Sequence, residues 1–295
     1  MAVYTTLTNK DILLLSNNYQ IDKVIKFEGI KKGIENTNYF LKTNKKKFIL
    51  TIFEKRVHKK DLPFFMNLMD KLNQKKIMCP KPLKNIKGNY LSTIKHKSAC
   101  IVTFLKGKDK AHLNYKNCFD IGKNIAKFHK ATSKIGLYRK NSMSVKKLDG
   151  LLRSIKFKSI KKSLDLKSLL NLNLKDIKKK WPKNLPTGII HGDLFVDNIF
   201  FNKNKFSGFI DFYFSSNDYL MYEIAICINA LCFDKKKQNF IMNNQKIKNL
   251  IDGYESVRIL SRKEKNSLNI LCRGAALRYL LTRIYDYFNT PKTAL

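Results

Sequence analysis

Acidic side chains are scarce in this sequence: 22 Asp and Glu stand against 59 Lys and Arg over 295 residues, a formal net charge of +37. Such a balance invites a nucleic-acid partner. Arginine is scarcer still, with eight Arg against 51 Lys. Lys, Asn (29) and Ile (30) are inflated together, as AT-rich codons inflate them, whereas Arg is the residue whose planar fork reads phosphate and guanine bidentately. The charge therefore reads as a solvated lysine coat, with no aromatic–basic interleaving on one face and no specific nucleic-acid partner expected. No run of about 18 uncharged apolar residues occurs, which excludes a membrane-spanning helix. The start Met1-Ala2-Val3-Tyr4-Thr5-Thr6 lacks the basic-then-apolar shape of a signal peptide. The six cysteines (79, 100, 118, 227, 232, 272) form no C-x-x-C pair and mostly sit in apolar runs. Zinc and a disulfide framework are thereby disfavoured, and buried, reduced thiols in a cytoplasmic protein are expected. No internal repeat is present. What the chain does have is 44% hydrophobic residues, enough for a packed core in one large domain or two modest ones.

The first hundred residues read as strands with one helix. Ile21–Phe27 is apolar at alternate positions, and Tyr39–Thr43 and Phe48–Phe53 read as a hairpin across a polar turn. Asp61-Leu62-Pro63 reads as a helix start with Asp at the cap, followed by Phe64, Phe65, Leu68, Met69 and Leu72 at helical spacing. Tyr90–Thr93 and Ala99–Phe104 suggest a further strand pair. After Gly107 the pattern turns helical: Tyr115–Ala131, lysine-rich surface helices over 146–183, and a largely helical chain from Tyr219 on. Three short strands interrupt it, at Gly188–His191, Ile199–Phe201 and Phe206–Phe212. The expected fold is α+β: a small sheet lobe over 1–105 beside a mainly helical lobe over 106–295, with a ligand cleft between them.

Chemistry concentrates at His191-Gly192-Asp193-Leu194-Phe195-Val196-Asp197-Asn198, with Asp211 in Ile210-Asp211-Phe212 thirteen residues beyond Asn198. The pattern H-x-D-x₄-N arises by chance roughly 0.03 times in a chain of this composition. Each part suits phosphoryl transfer. Asp193 would accept the proton of a substrate hydroxyl, and His191 would brace the loop. Asn198 and Asp211 would hold Mg²⁺ on nucleotide phosphates, because Mg²⁺ takes few protein carboxylates beside phosphate oxygens. The three groups are expected to be buried between apolar strands. The structural alternative is a capped turn with a buried His.

Elsewhere the readings stay open. Gly29-Ile30-Lys31-Lys32-Gly33-Ile34-Glu35-Asn36-Thr37-Asn38 lies between strands. It is either a phosphate-cradling turn using Gly33, Asn36 and Asn38 or a plain β-turn. Ile101–Gly107 either pairs with an adenine edge near Thr103 and Leu105 or simply ends a strand. Asp218 either caps a helix or faces a substrate ammonium, and Glu223 is expected to brace the catalytic loop. Arg273, Arg278 and Arg283 hold three of the eight Arg. They either form buried ion pairs or clamp a substrate carboxylate.

At these residues the chain resembles the kinase-like phosphotransferases of small molecules, the aminoglycoside phosphotransferase and choline kinase superfamily, and within it the bacterial homoserine kinases. The resemblance runs through Gly33–Tyr39, Phe48–Val57, Asp61–Phe65, Ile101–Lys106, His191–Phe201, Phe209–Phe233 and Arg273–Pro291. It implies a two-lobed protein-kinase-like fold, with an antiparallel nucleotide-binding lobe and a helical catalytic lobe. It also implies transfer of the ATP γ-phosphate to L-homoserine on the route to threonine, with Asp193 as base and Asn198 and Asp211 as Mg²⁺ ligands. Three departures stand out. Thr51 occupies the place of the superfamily's phosphate-holding Lys or Arg, leaving Lys55 or Lys32 as substitutes. Glu223 stands where Asp is more usual. The resemblance implies a short tail beyond Leu295. On fold alone, choline, an aminoglycoside, a sugar or another amino alcohol remain alternative acceptors. A basic nucleic-acid binder or a catalytically dead scaffold is the reading from another class.

Overall fold

A computed structural model describes residues 3–31, 36–54, 57–157 and 163–289, which fall into two compact units divided between Lys106 and Gly107. The first unit is built on one antiparallel sheet: β1 (Val24–Gly29), β2 (Thr37–Thr43), β3 (Lys47–Ile52), β4 (Leu91–Ile94) and β5 (Lys97–Thr103), in the order β1-β2-β3-β5-β4. Period-two alternation gathers Tyr39, Leu41, Phe48, Leu50, Ile52, Ala99 and Ile101 into one core. Helix α1 (Asn9–Tyr19) covers that core with Ile12, Leu15 and Tyr19. This helix corrects the expectation of a single helix in the region. Its start is written locally, since Thr8 and Asp11 exchange side-chain-to-backbone hydrogen bonds as a capping box. The continuous run Ile12-Leu13-Leu14-Leu15 hides its period.

The expected helix is α2 (Leu62–Gln74), with Pro63 in its first turn. Asp61 occupies the cap position without a capping hydrogen bond, because a 3₁₀ turn over Lys59–Asp61 leads into the helix. Between β4 and β5 the chain reverses in two residues, Lys95 and His96, with φ of 45° and 64°. Hairpin twist demands such left-handed residues, and without Gly or Asn the turn carries no signature. Strand β5 opens at Lys97, directly after the turn.

The second unit is mainly helical: α3 (Tyr115–Thr132), α4 (Leu148–Ser154), α5 (Ser163–Lys180), α6 (Leu220–Leu231), α7 (Asn244–Glu255) and α8 (Arg262–Asn289). Helix α6 is apolar on nearly all sides and buried along most of its length, as a central core helix must be. Helices α3 and α7 cross at two glycines. A Cβ on Gly122 would lie 1.9 Å from the Leu250 carbonyl oxygen, and one on Gly253 would lie 2.0 Å from that of Phe119. Leu277 and Leu281 of α8 pack with Leu148, Leu152, Leu170 and Leu174 in a separate core.

Three two-stranded ladders complete the unit: β6 (Thr187–Ile190) with β9 (Ser216–Tyr219), β7 (Ile199–Asn202) with β8 (Lys205–Phe209), and β10 (Phe233–Lys236) with β11 (Asn239–Met242). The strands β9, β10 and β11 are additions to the sequence reading. The expected strand over Phe206–Phe212 stops at Phe209, and Phe212–Phe214 turn as a 3₁₀ helix.

Candidate active site

Strand β6 runs into His191, and the loop that follows ends in a 3₁₀ turn over Val196–Asn198 that opens β7. Gly192 sits at φ +80°, and a Cβ there would meet the Phe214 carbonyl oxygen at 2.9 Å, so the bend demands glycine. The fully buried Glu223 carboxylate, in the first turn of α6, accepts the backbone N–H of His191 and that of Gly192, the latter at 3.1 Å. The buried His191 ring places Nε2 2.9 Å from the Ile210 carbonyl and packs on Phe212 at 4.7 Å. A carbonyl only accepts, so Nε2 carries the proton and Nδ1 is left without a partner. Burial holds the ring's pKa below the ordinary histidine value, against the pull of Glu223 and Asp193.

Asp193 is half-buried. Its backbone carbonyl accepts the Asn198 Nδ2 at 2.8 Å, and its Oδ2 lies 3.3 Å from the same nitrogen. Its Oδ1 lies 3.4 Å from the Tyr279 hydroxyl. Burial raises the carboxyl above the usual Asp value, while Arg278 and His191 pull it down.

Asp211 corrects the expectation of three buried groups: it is exposed, at the end of β8, whereas Asn198 is buried. Its backbone is left-handed, with φ 62° and ψ 68°, a conformation uncommon outside glycine. The Ile210 N–H donates to the Asn198 carbonyl at 3.0 Å, tying the two segments together.

This donor set suits a hard cation. With Nδ2 of Asn198 engaged by two acceptors on Asp193, the amide oxygen is the atom that can meet a metal. One amide oxygen and one exposed carboxylate fit Mg²⁺ shared with phosphate oxygens, not a cage of protein ligands. Among the described residues no group of three or more His, Cys, Asp or Glu is placed to hold an ion.

On the sheet, Asn38 and Thr51 face one another across β2 and β3, joined by a 2.7 Å hydrogen bond from the Thr51 hydroxyl to Asn38 Oδ1. Asn36 is buried, and its Oδ1 lies 3.4 Å from the Glu54 N–H. Thr103 pairs with Phe48 and so points to the opposite face from Thr51; its hydroxyl accepts the Lys81 N–H. Leu105 lies half-buried beyond β5. Gly33, Lys32 and Lys55 lie outside the described residues.

The arginines divide. Arg273 turns to α5 and pairs with Asp176 at 2.8 Å, half-exposed, so of its two readings the ion pair is the one present, without being buried. Arg283 is exposed. Arg278 is 3% exposed, donates from Nη1 to the Gly192 carbonyl at 2.9 Å and lies over the rings of Phe214 and Tyr279. Its Nη1 is thus engaged by the loop. Asp218 lies in β9 and caps nothing, since Tyr219 holds the N-cap of α6. Its Oδ2 accepts the Asn141 amide at 2.6 Å, and burial raises its pKa.

Sequence reasoning missed Tyr279, which stands beside Arg278, and His129, whose Nδ1 lies 2.8 Å from the Tyr254 hydroxyl and whose Nε2 faces Glu223 at 3.9 Å. Neither falls within a local motif.

Comparison with known proteins shows the family and the fold. The phosphotransferase enzyme family profile matches residues 26–260. Homoserine kinase of Rhizobium meliloti (strain 1021) is 40% identical over 295 residues, spanning 100% of this chain and 90% of the relative. Homoserine kinase of Sinorhizobium medicae (strain WSM419) matches at the same identity and coverage. Among solved structures, amicoumacin kinase in complex with AMP-PNP and Ca²⁺ superposes with a TM-score of 0.77 at 15% identity, covering 98% of this chain and 89% of that one. The fold is thus that of the small-molecule kinases, and the chain belongs to the phosphotransferase enzyme family, in which it groups with the homoserine kinases.

Proposed function

We propose that this chain transfers the γ-phosphate of ATP to the side-chain hydroxyl of L-homoserine, giving O-phospho-L-homoserine and ADP. The reading is carried by an intact H-x-D-x₄-N loop and Asp211 in a chain that aligns over all 295 residues with homoserine kinases. Asp193 takes the hydroxyl proton as the oxygen attacks. The burial that raises its pKa makes it a stronger base than a solvated Asp. His191 and Glu223 hold the loop that carries it, through the Ile210 carbonyl and the Gly192 N–H respectively. Asn198 Oδ1 and Asp211 would hold Mg²⁺, which would supply positive charge against the phosphate oxygens. On the sheet unit, Asn36, Asn38 and Thr51 contact the nucleotide phosphates together with Gly33, and the strand end at Thr103 and Leu105 meets the base. Asp218 receives the substrate ammonium: it has accepted the Asn141 amide and the Tyr219 N–H, and a carboxylate has lone pairs for more. The reduced thiols fit work in the cytoplasm.

The test is ADP release with homoserine, choline, serine, threonine and an aminoglycoside in parallel, for the wild type and Asp193→Asn. Homoserine should be the preferred acceptor. Asp193→Asn should lose at least ~10³ in turnover while still binding ADP, because positioning survives and the base does not. Full activity in that variant removes Asp193 from its role, and turnover with homoserine no better than with the others removes the substrate assignment.

A further inference from the structure

Two adjacent residues of α8 turn to the loop that carries Asp193. Arg278 Nη1 and the Tyr279 hydroxyl both reach the Gly192 carbonyl, at 2.9 and 3.1 Å. The N–H of the same residue is held by Glu223 from α6. Gly192 is thus gripped at both its polar backbone groups by helices far from it in sequence, immediately before Asp193. The Tyr279 ring is itself immobilised: Phe195 meets it edge-on at 4.7 Å and the Arg278 guanidinium lies 4.7 Å from its centre. Its hydroxyl also lies 3.4 Å from Asp193 Oδ1, while Asn198 Nδ2 stands 3.3 Å from Oδ2. The Asp193 carboxylate is therefore bracketed, with one donor facing each oxygen. A tyrosine hydroxyl has one proton to give, so Tyr279 divides it between the Gly192 carbonyl and Oδ1.

We infer that Tyr279 is a positioning residue for phosphoryl transfer, whose hydroxyl fixes the rotation of the Asp193 carboxylate so that one oxygen is presented to the acceptor hydroxyl. The inference rests on Asp193 being the base. A proton acceptor must sit within hydrogen-bond reach and in line, and small misplacements cost rate without costing binding. Tyr279→Phe removes the hydroxyl and keeps the ring that touches Phe195 and Arg278. Turnover should fall about tenfold, in keeping with a hydrogen bond to a charged group. KM for ATP and for homoserine, and the unfolding midpoint, should hold. Phe195→Leu loosens the ring without touching a hydrogen bond and should give a smaller loss, again confined to kcat. Asp193→Asn is measured beside them. If it is inactive while Tyr279→Phe keeps wild-type kcat, or loses only stability, the role of Tyr279 is overturned alone. If Asp193→Asn keeps its activity, the base assignment fails first and this inference falls with it.

Discussion

Glu223 is a carboxylate with no exposure at all, a placement that costs several kcal/mol unless donors surround it. Two backbone N–H groups of the catalytic loop supply them, and the His129 ring stands behind at 3.9 Å. Around that ring lie Tyr254, Arg258 and Glu264 besides Glu223, and burial holds its pKa below the ordinary value of 6.5. The folded state therefore keeps His129 neutral where the unfolded chain would protonate it. The stability this contributes is fully present above about pH 6.5 and is lost as pH falls toward the depressed folded pKa. In urea unfolding, the advantage of the wild type over His129→Gln should shrink below pH 6.5 by up to about 1.4 kcal/mol per pH unit. A pH-independent difference would mean the ring is not kept neutral. The candidate site residues read from the sequence, His191, Asp193, Asn198 and Asp211, are those that cluster along the chain. Tyr279 and His129 were illegible because they reach the loop only through folding, Tyr279 from 86 residues away.

At the scale of elements, strands and helices with clear periods were legible, including the hairpin of β2 and β3 and helices α2 and α3. The additions share one cause: weak or masked patterning. Four apolar residues in a row hide α1, and β10–β11 is exposed at seven of its eight positions, so burial imposes no alternation on it. The α3–α7 crossing depends on backbone contact that no hydrophobic pattern reveals. Gly253→Ala would force a methyl to within 2.0 Å of a carbonyl oxygen, so the helices must part. We expect a loss of about 3 kcal/mol in unfolding free energy, the upper end for an overpacked core, read by denaturant titration. A change below about 0.5 kcal/mol, the range of a surface substitution, would show that the helices do not touch there.

For the whole molecule, the charge of +37 acts as a field, not as a fold determinant. The proposed site residues Asp193, Asn198 and Asp211 are acidic or neutral, so the lysine excess lies outside that set. A cationic coat concentrates an anionic nucleotide at its surface, and salt screens the effect within about 8–10 Å at physiological ionic strength. KM for ATP should therefore rise with added salt while kcat changes little; a salt-independent KM would leave the coat without influence on the nucleotide. The compact units divide between Lys106 and Gly107, where the sequence passes from sheet to helical periods. One side chain gives that division an optical consequence. Trp181 is the chain's single tryptophan. It presses against Gly274 of α8 and stands edge-on to Tyr222, the neighbour of Glu223, at 5.6 Å. All tryptophan fluorescence therefore originates in the helical unit, from a ring wedged beside the helix that holds the catalytic loop. Its emission reports the opening of that unit and is blind to melting confined to the sheet.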